Sequence, residues 1–98
     1  MGQIINVTTQ VLDDVALFDA DRSITGQDGS AYANEGEAEL DTTFPGRLAH
    51  RLFGVDSSIG HVFVASNQVV VRRSGGWPPA ALKVASETIS EFFVFYPA

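Results

Sequence analysis

The chain has 98 residues, 45% of them hydrophobic, which suits one domain with its own core and is too little for two. Its formal net charge of -6 and its lack of any run of Lys and Arg argue against a nucleic-acid backbone or an anionic membrane surface as the main partner, since both attract clustered positive charge. It has no cysteine, which excludes a disulfide framework, a Cys nucleophile, a thiolate zinc site and cluster ligation by its own thiols.

The N-terminal part predicts one hairpin followed by an acidic loop. Residues 4–9 are mostly β-branched and residues 15–19 are mostly apolar, so both are expected to form strands that turn at the Asp-Asp pair between them. Residues 21–41 are rich in glycine and acidic groups, a composition that buries little surface. We expect mostly irregular structure there, with a short edge strand at 30–34 whose Tyr32 points inward.

Residues 42–54 predict a short amphipathic helix. The Thr-Thr-Phe-Pro start offers a threonine hydroxyl to an unpaired backbone N–H and places proline in the first turn, and Gly54 suits the end. Leu48 and Leu52 are one turn apart and form an apolar stripe, so the basic side chains of this helix are expected to face outward. These side chains are Arg47, His50 and Arg51.

The C-terminal half predicts a second hairpin and a long helix. Residues 61–65 and 69–73 are rich in valine and flank a small polar turn. Two glycines then end the strand, and Trp77 with two prolines begins a helix whose apolar residues recur every three or four positions. These apolar residues are Leu82, Ala85, Ile89, Phe92 and Phe93. The elements predict a single α+β domain over 1–98: a small, mainly antiparallel sheet of about four strands in two hairpins, with two helices packed on one face.

Half of the chain resembles a known family. The run PGRLAHRLFGVDSSIGHVFVASNQVVVRR at 45–73, then Trp77, then ISEFF at 89–93, is similar to the N-terminal domain of Nfu-type (NifU-like) iron–sulfur cluster scaffold proteins. The matched positions are Pro45, Leu48, Ala49, Leu52, Phe53, Val62, Phe63, Val69, Val71, Trp77, Ile89, Phe92 and Phe93. The family's usual Thr-Pro-Asn-Pro turn between its first strands is replaced here by Gln-Val-Leu-Asp-Asp at 10–14.

The resemblance implies an accessory role and no cluster ligation. Full-length members of that family hold the cluster with a Cys-x-x-Cys motif in a separate C-terminal domain, and this sequence has no such motif. We therefore expect a non-catalytic, protein-interaction domain of the cytoplasm, related to iron–sulfur cluster assembly or delivery and without a cofactor of its own. The alternative is a small-ligand-binding or self-associating module that keeps the fold and uses a sheet edge or a sheet face. The cytoplasmic expectation follows from the absence of a secretion-type start and of any stretch of about 18 apolar residues.

Three local patterns invite a chemical interpretation and are not adopted. The acidic segment that begins at Asp19 starts like a calcium loop, but Ile24 and Ser30 stand where that loop needs Gly and a bidentate Glu. Asp56, two serines and His61 are residue types of a hydrolase triad, yet they crowd one short loop with no oxyanion-hole signature. The two histidines lack a metal-binding spacing. We assign no catalytic and no metal-ligating residue.

The predicted functional site is a surface for a protein partner. Three basic residues lie on the outer face of the first helix, and two arginines end the second hairpin, one of which must point outward by strand alternation. If they converge, they form a basic patch suited to a carboxylate-rich partner; the alternative is a set of isolated, solvated side chains. Trp77 either fastens the start of the last helix to the core or contacts a ligand. The predicted partner-binding residues are Arg47, His50, Arg51, Arg72, Arg73 and Trp77.

Overall fold

The computed structural model describes the backbone of residues 7–20 and 29–95 and the side chains up to Phe92. In chain order the elements are β1 (Val7–Leu12), β2 (Val15–Ala20), β3 (Ser30–Tyr32), α1 (Glu35–Leu40), α2 (Phe44–Val55), β4 (Ile59–Ala65), β5 (Gln68–Arg73) and α3 (Pro79–Phe95). The strands form one sheet in the order β1-β2-β5-β4-β3, and every neighbouring pair is antiparallel. The predicted α+β class is confirmed, with five strands instead of about four.

The core lies between one face of this sheet and helices α2 and α3. Strand alternation turns Phe18, Val62 and Val71 toward the helices, where all three are fully buried. Helix α2 packs on β3 and β4, whereas α3 packs on β1 and β2. Burial of Ile89 in α3 contributes about 1.5–3 kcal/mol before entropy is subtracted, as expected for a fully buried aliphatic side chain. We call this side of the sheet the helix-covered face.

The opposite side, which we call the uncovered face, carries no helix of the described chain. Its central residues are Val15, Leu17, Phe63, Val70 and Arg72. The four apolar residues of this set are half-buried, because neighbouring side chains on the same face shield each other. No helix in the described part of the chain is long and apolar enough to cross a membrane.

The N-terminal hairpin forms with shifted bounds. The first strand begins, within the described residues, at Val7 and continues to Leu12, three residues beyond its predicted end. The chain then reverses at the Asp-Asp pair, where Asp13 adopts a left-handed backbone (φ 57) that aspartate tolerates better than most residues. Predicted strand positions 4–6 lie outside the described residues. The turn and strand positions 7–9 are therefore where the sequence predicts them, and the predicted end of the strand is wrong.

The expectation of mostly irregular structure between 21 and 41 is wrong for its second half, where α1 forms. Asn34 caps this helix: its Oδ1 accepts a hydrogen bond from the backbone N–H of Glu37 at 2.9 Å. The Glu37 carboxylate in turn accepts from the backbone N–H of Ala33 at 3.0 Å. The short strand β3 is confirmed with Tyr32 buried, and residues 21–28 lie outside the described residues.

Helix α2 forms where it is predicted, but its two ends differ from the prediction. Thr43 is the N-cap residue, yet its hydroxyl caps no backbone N–H and donates instead to Asp41 Oδ1 at 2.6 Å. This charge-assisted hydrogen bond turns the Thr43 hydroxyl toward Asp41. The helix passes through Gly54 and ends at Val55, so the predicted glycine stop is also wrong.

The second hairpin and the last helix form as predicted. A two-residue turn, Ser66 and Asn67, joins β4 to β5, with Ser66 in the left-handed region (φ 54). Gly75 and Gly76 have φ of 86° and 83°, a backbone that glycine adopts without steric cost. The chain then reaches Trp77 and enters α3.

A cleft between three helices as the candidate functional site

A cleft of about 330 Å³ opens where α1, α2 and α3 meet. This volume lies at the lower end of the range of about 300–1,000 Å³ that small-molecule sites occupy. Ala38 of α1 and Phe92 of α3 supply its apolar surface, and both are buried. The ring of Phe92 is held edge-on by Phe44, with 5.0 Å between the ring centroids. The cleft thus has an apolar floor that exposes little surface.

Three basic side chains from successive turns of α2 line this cleft. Arg47 is positioned by a hydrogen bond from its Nε to the carbonyl oxygen of Thr42 at 3.0 Å. His50 Nε2 lies 4.0 Å from the carboxylate of Glu35 on α1. Arg51 makes no hydrogen bond and no ion pair with any residue that the structure describes. Its side chain is exposed.

Asp41 also lines the cleft, but its carboxylate is occupied by the protein itself. Oδ1 accepts from the backbone N–H and the hydroxyl of Thr43, at 2.9 and 2.6 Å, and Oδ2 accepts from the Tyr32 hydroxyl. The Thr43 hydroxyl, and next the Tyr32 hydroxyl, lower the pKa of Asp41 below its ordinary value. Burial, and next the hydrogen bond to Asp41, raise the pKa of Tyr32. Asp41 therefore ties β3 to the start of α2.

Close packing reinforces this junction between α1 and α2. A Cβ atom placed on Gly46 would lie 2.2 Å from the backbone oxygen of Asp41 and 2.6 Å from its Cβ and Cγ. Only a residue without a side chain allows α2 to approach so closely. Because Asp41 is committed to this junction, Glu39 is the acidic cleft residue that retains a free carboxylate among the contacts described.

The structure brings together three of the six residues predicted to bind a partner. Arg47, His50 and Arg51 share the cleft. Arg72 lies on the uncovered face, with its side chain 65% exposed and its Nε 4.0 Å from Asp14. Arg72 thus belongs to a different surface from the cleft.

The remaining two predicted residues have structural contacts. Arg73 points to the other side of the strand, where its Nε donates to Asp56 Oδ2 at 2.6 Å and a terminal nitrogen donates to the Gly76 carbonyl at 3.0 Å. Trp77 is buried; its indole N–H donates to the Asp14 carbonyl at 2.9 Å, and its ring meets Phe18 edge-on at 5.9 Å. Both side chains hold the loop before α3 against the sheet.

Sequence reasoning missed the parts of the cleft contributed by α1 and the role of Phe92 as its floor. The pattern Asn34-x-x-Glu37, a polar cap followed three residues later by Glu, is the signal that would have revealed α1. The hydrolase-like loop has no catalytic arrangement among the described contacts, since Asp56 is held by Arg73 and by the backbone N–H of Ser58 at 3.0 Å. Asp19 lies within β2, and no group of His, Asp and Glu able to hold a metal ion occurs in the described chain.

No protein-family model, no curated protein and no solved structure matches this chain.

Proposed function

We propose that this protein is a non-catalytic interaction module of the cytoplasm, which assists iron–sulfur cluster assembly or delivery by binding a protein partner in the cleft. The observation that carries the proposal is the convergence of Arg47, His50 and Arg51 on one cleft with an apolar floor. A partner that places a carboxylate against Arg51 and an apolar side chain against Phe92 would use both features of the site.

Arginine suits this role because its planar guanidinium group pairs with a carboxylate through two parallel hydrogen bonds. Each ion pair at an exposed site contributes about 0–1 kcal/mol, and Phe92 is only 4% exposed, so several polar contacts acting together must supply the affinity. Two arginines and two carboxylates line the cleft, so its formal charge is zero with His50 neutral, against -6 for the whole chain. An acidic partner is therefore repelled less at the cleft than the net charge of the chain implies.

The link to iron–sulfur clusters is supported by the resemblance and limited by the composition. Arg47, His50, Arg51 and Phe92, which are half of the residues that line the cleft, belong to the segment that resembles the Nfu-type N-terminal domain. Without cysteine the chain supplies no thiolate to a cluster, so the cluster would remain on the partner. The proposed role is to hold that partner.

The proposal is tested by affinity capture with the whole chain as bait. We expect the parent protein to enrich proteins of cluster assembly and the double variant Arg47→Glu, Arg51→Glu to lose them. The matched control is Arg72→Glu with Lys83→Glu, which changes the net charge equally at exposed positions outside the cleft. Thermal unfolding of each variant shows whether the fold is retained.

The two parts of the proposal fail in different ways. If the double variant keeps the partners that the parent binds, the cleft is not the binding site. If the parent's partners are lost by the double variant but none belongs to cluster assembly, the cleft is supported and the pathway is not.

A second candidate function is small-ligand binding on the uncovered face. A depression of about 240 Å³ there is lined by Val15, Phe63 and Val70, with His61 and Arg72 beside them. This combination fits an amphipathic ligand that has an apolar body and one anionic group. We would expect medium-chain carboxylates to raise the melting temperature of the parent and to have a smaller effect on Arg72→Ala. Equal shifts in both proteins would exclude Arg72 as the anion contact.

A further inference from the structure

The edge strand β1 lacks the features that usually prevent an edge from pairing with another strand. Its sequence, VTTQVL, contains no charged residue and no proline, and five of its six residues are exposed. Its pairing with β2 is continuous and shows no bulge. Natural edge strands are commonly protected by a charge, a proline, a bulge or shortness. The opposite edge, β3, is protected by its length of three residues.

The hydrogen bonds of the next strand determine which backbone groups of β1 point outward. The backbone N–H of Ala20 donates to the Asn67 carbonyl at 2.8 Å, and the backbone N–H of Arg73 donates to the Asp14 carbonyl at 2.8 Å. The backbone N–H and C=O groups of the even-numbered residues of β2 therefore point toward β5. The backbone groups of the odd-numbered residues of β2 point toward β1, where they pair with those of Thr8, Gln10 and Leu12. It follows that the N–H and C=O groups of the alternate residues point away from the sheet. These residues are Val7, Thr9 and Val11.

The outward groups are self-complementary about Thr9. In an antiparallel pairing of two β1 strands centred there, Thr9 meets Thr9 of the second copy and Val7 meets Val11, so each outward-pointing residue opposes another. The intervening pair is Thr8 with Gln10, both polar and uncharged. Valine pairs and threonine pairs are favourable neighbours across strands. The same side chains remain on the same face of the joined sheet, as strand alternation requires.

Charge favours this orientation. The Asp13-Asp14 turn follows β1 directly and carries two carboxylates. A twofold axis at Thr9 places the two acidic turns at opposite ends of the paired strands. A parallel pairing would bring them side by side, and like charges repel.

We propose that a second copy of this chain pairs with β1 in antiparallel fashion, with the twofold axis at Thr9, to form one continuous ten-stranded sheet. This surface is separate from the cleft, so the inference stands or falls independently of the proposed function. The contact consists mainly of backbone hydrogen bonds over five residues on each side, and it is far smaller than the interfaces of about 1,200–2,000 Å² typical of stable complexes. The dimer is accordingly a weak and reversible one.

The test measures mass against concentration by sedimentation equilibrium, from micromolar to millimolar protein. The parent is expected to rise from 10.5 kDa toward twice that mass. Thr9→Lys and Thr9→Glu should each remain monomeric, because two like charges then face each other at the axis. An equimolar mixture of the two variants should recover the association, since the charges become opposite. Ala31→Lys, which places the same charge on the exposed edge strand β3, is the matched control and should behave like the parent.

Several outcomes would overturn the inference. A parent that stays monomeric at millimolar concentration would do so, as would a folded Thr9→Lys variant that associates like the parent. Loss of association in Ala31→Lys but not in Thr9→Lys would move the contact to the other edge. Failure of the mixed variants to associate, with both folded, would refute the axis at Thr9.

Discussion

Gly46→Ala is the substitution that tests the junction between α1 and α2 most directly. The added methyl group would lie 2.2 Å from the Asp41 backbone oxygen, a distance that real Cβ atoms do not tolerate. The backbone of Gly46 is not in the left-handed region, so lack of space, and not conformation, is what demands glycine. Asp41 cannot move away without giving up its hydrogen bonds to Thr43 and Tyr32.

The expected magnitude follows from opposing contributions. Replacing glycine by alanine inside a helix normally stabilises it by about 1 kcal/mol. Overpacking costs about 1–3 kcal/mol, and weakened hydrogen bonds to a charged carboxylate cost about 1.5–3 kcal/mol each, reduced here because Asp41 is only half-buried. We expect a net loss of about 2 kcal/mol. For a domain of this size that corresponds to a fall in Tm of about 8–16 °C.

The assay is thermal and urea unfolding followed by circular dichroism, with Gly54→Ala as the matched control in the same helix. A Cβ atom at Gly54 would find its nearest neighbour, Glu35 Oε2, at an ordinary 3.9 Å. Gly54→Ala should therefore leave stability unchanged or raise it by up to about 1 kcal/mol. If Gly46→Ala proves as stable as Gly54→Ala, the packing of Asp41 against α2 is not as described.

The remaining predictions concern the core, the hydrogen bond between Tyr32 and Asp41, and the partly buried ion pair between Arg73 and Asp56. Ile89→Asp should abolish cooperative unfolding, because it places a carboxylate where the side chain is fully buried, and a cooperative melt near the parent's temperature would contradict the position of α3. The lowered pKa of Asp41 contributes stability that is present above its ordinary pKa of 3.8 and is lost as the pH falls through the folded-state pKa. The raised pKa of Tyr32 contributes stability that is present below its ordinary pKa of 10.0 and is lost as the pH rises through the folded-state pKa. Tyr32→Phe should therefore flatten both limbs of a plot of unfolding free energy against pH, and an unchanged plot would show that the hydroxyl is not linked to Asp41. Arg73→Ala should lower the free energy of unfolding by about 2 kcal/mol, because it leaves the largely buried carboxylate of Asp56 without its ion-pair partner. The control Arg72→Ala, at an exposed position, should lower it by less than about 0.5 kcal/mol. Equal losses for the two variants in urea unfolding would refute the distinction.

Elements with a strong local signal were predictable from the sequence. The β4–β5 hairpin combines valine-rich strands with a small polar turn, and α3 repeats its apolar residues at helical spacing. The inward position of Tyr32 followed from its being the one large side chain of the short strand predicted at 30–34. Such patterns depend only on neighbours along the chain, so they can be recognised without knowledge of the fold.

The missed features depend on short segments or distant contacts. Helix α1 has six residues, contains Gly36 and buries Ala38 alone, so it is too short to display a helical apolar period. Leu48 and Leu52 predict that Arg47 and Arg51 face outward, but only the packing of α1 and α3 beside them turns that surface into a cleft. Strand alternation likewise indicates that one of Arg72 and Arg73 points inward. It does not show that Arg73 is the inward one or that it pairs with Asp56, because that contact depends on tertiary structure.

The hydrogen bond between the Trp77 indole and the Asp14 carbonyl joins residues 63 positions apart. Since the chain contains one tryptophan, its fluorescence reports a single environment: the docking of the loop before α3 onto the β1–β2 turn. Unfolding should shift the emission to longer wavelength as the indole becomes hydrated. The fluorescence of Trp77 thus reports whether the loop before α3 is docked on the sheet, and the fold of each variant can be checked by this signal without labelling.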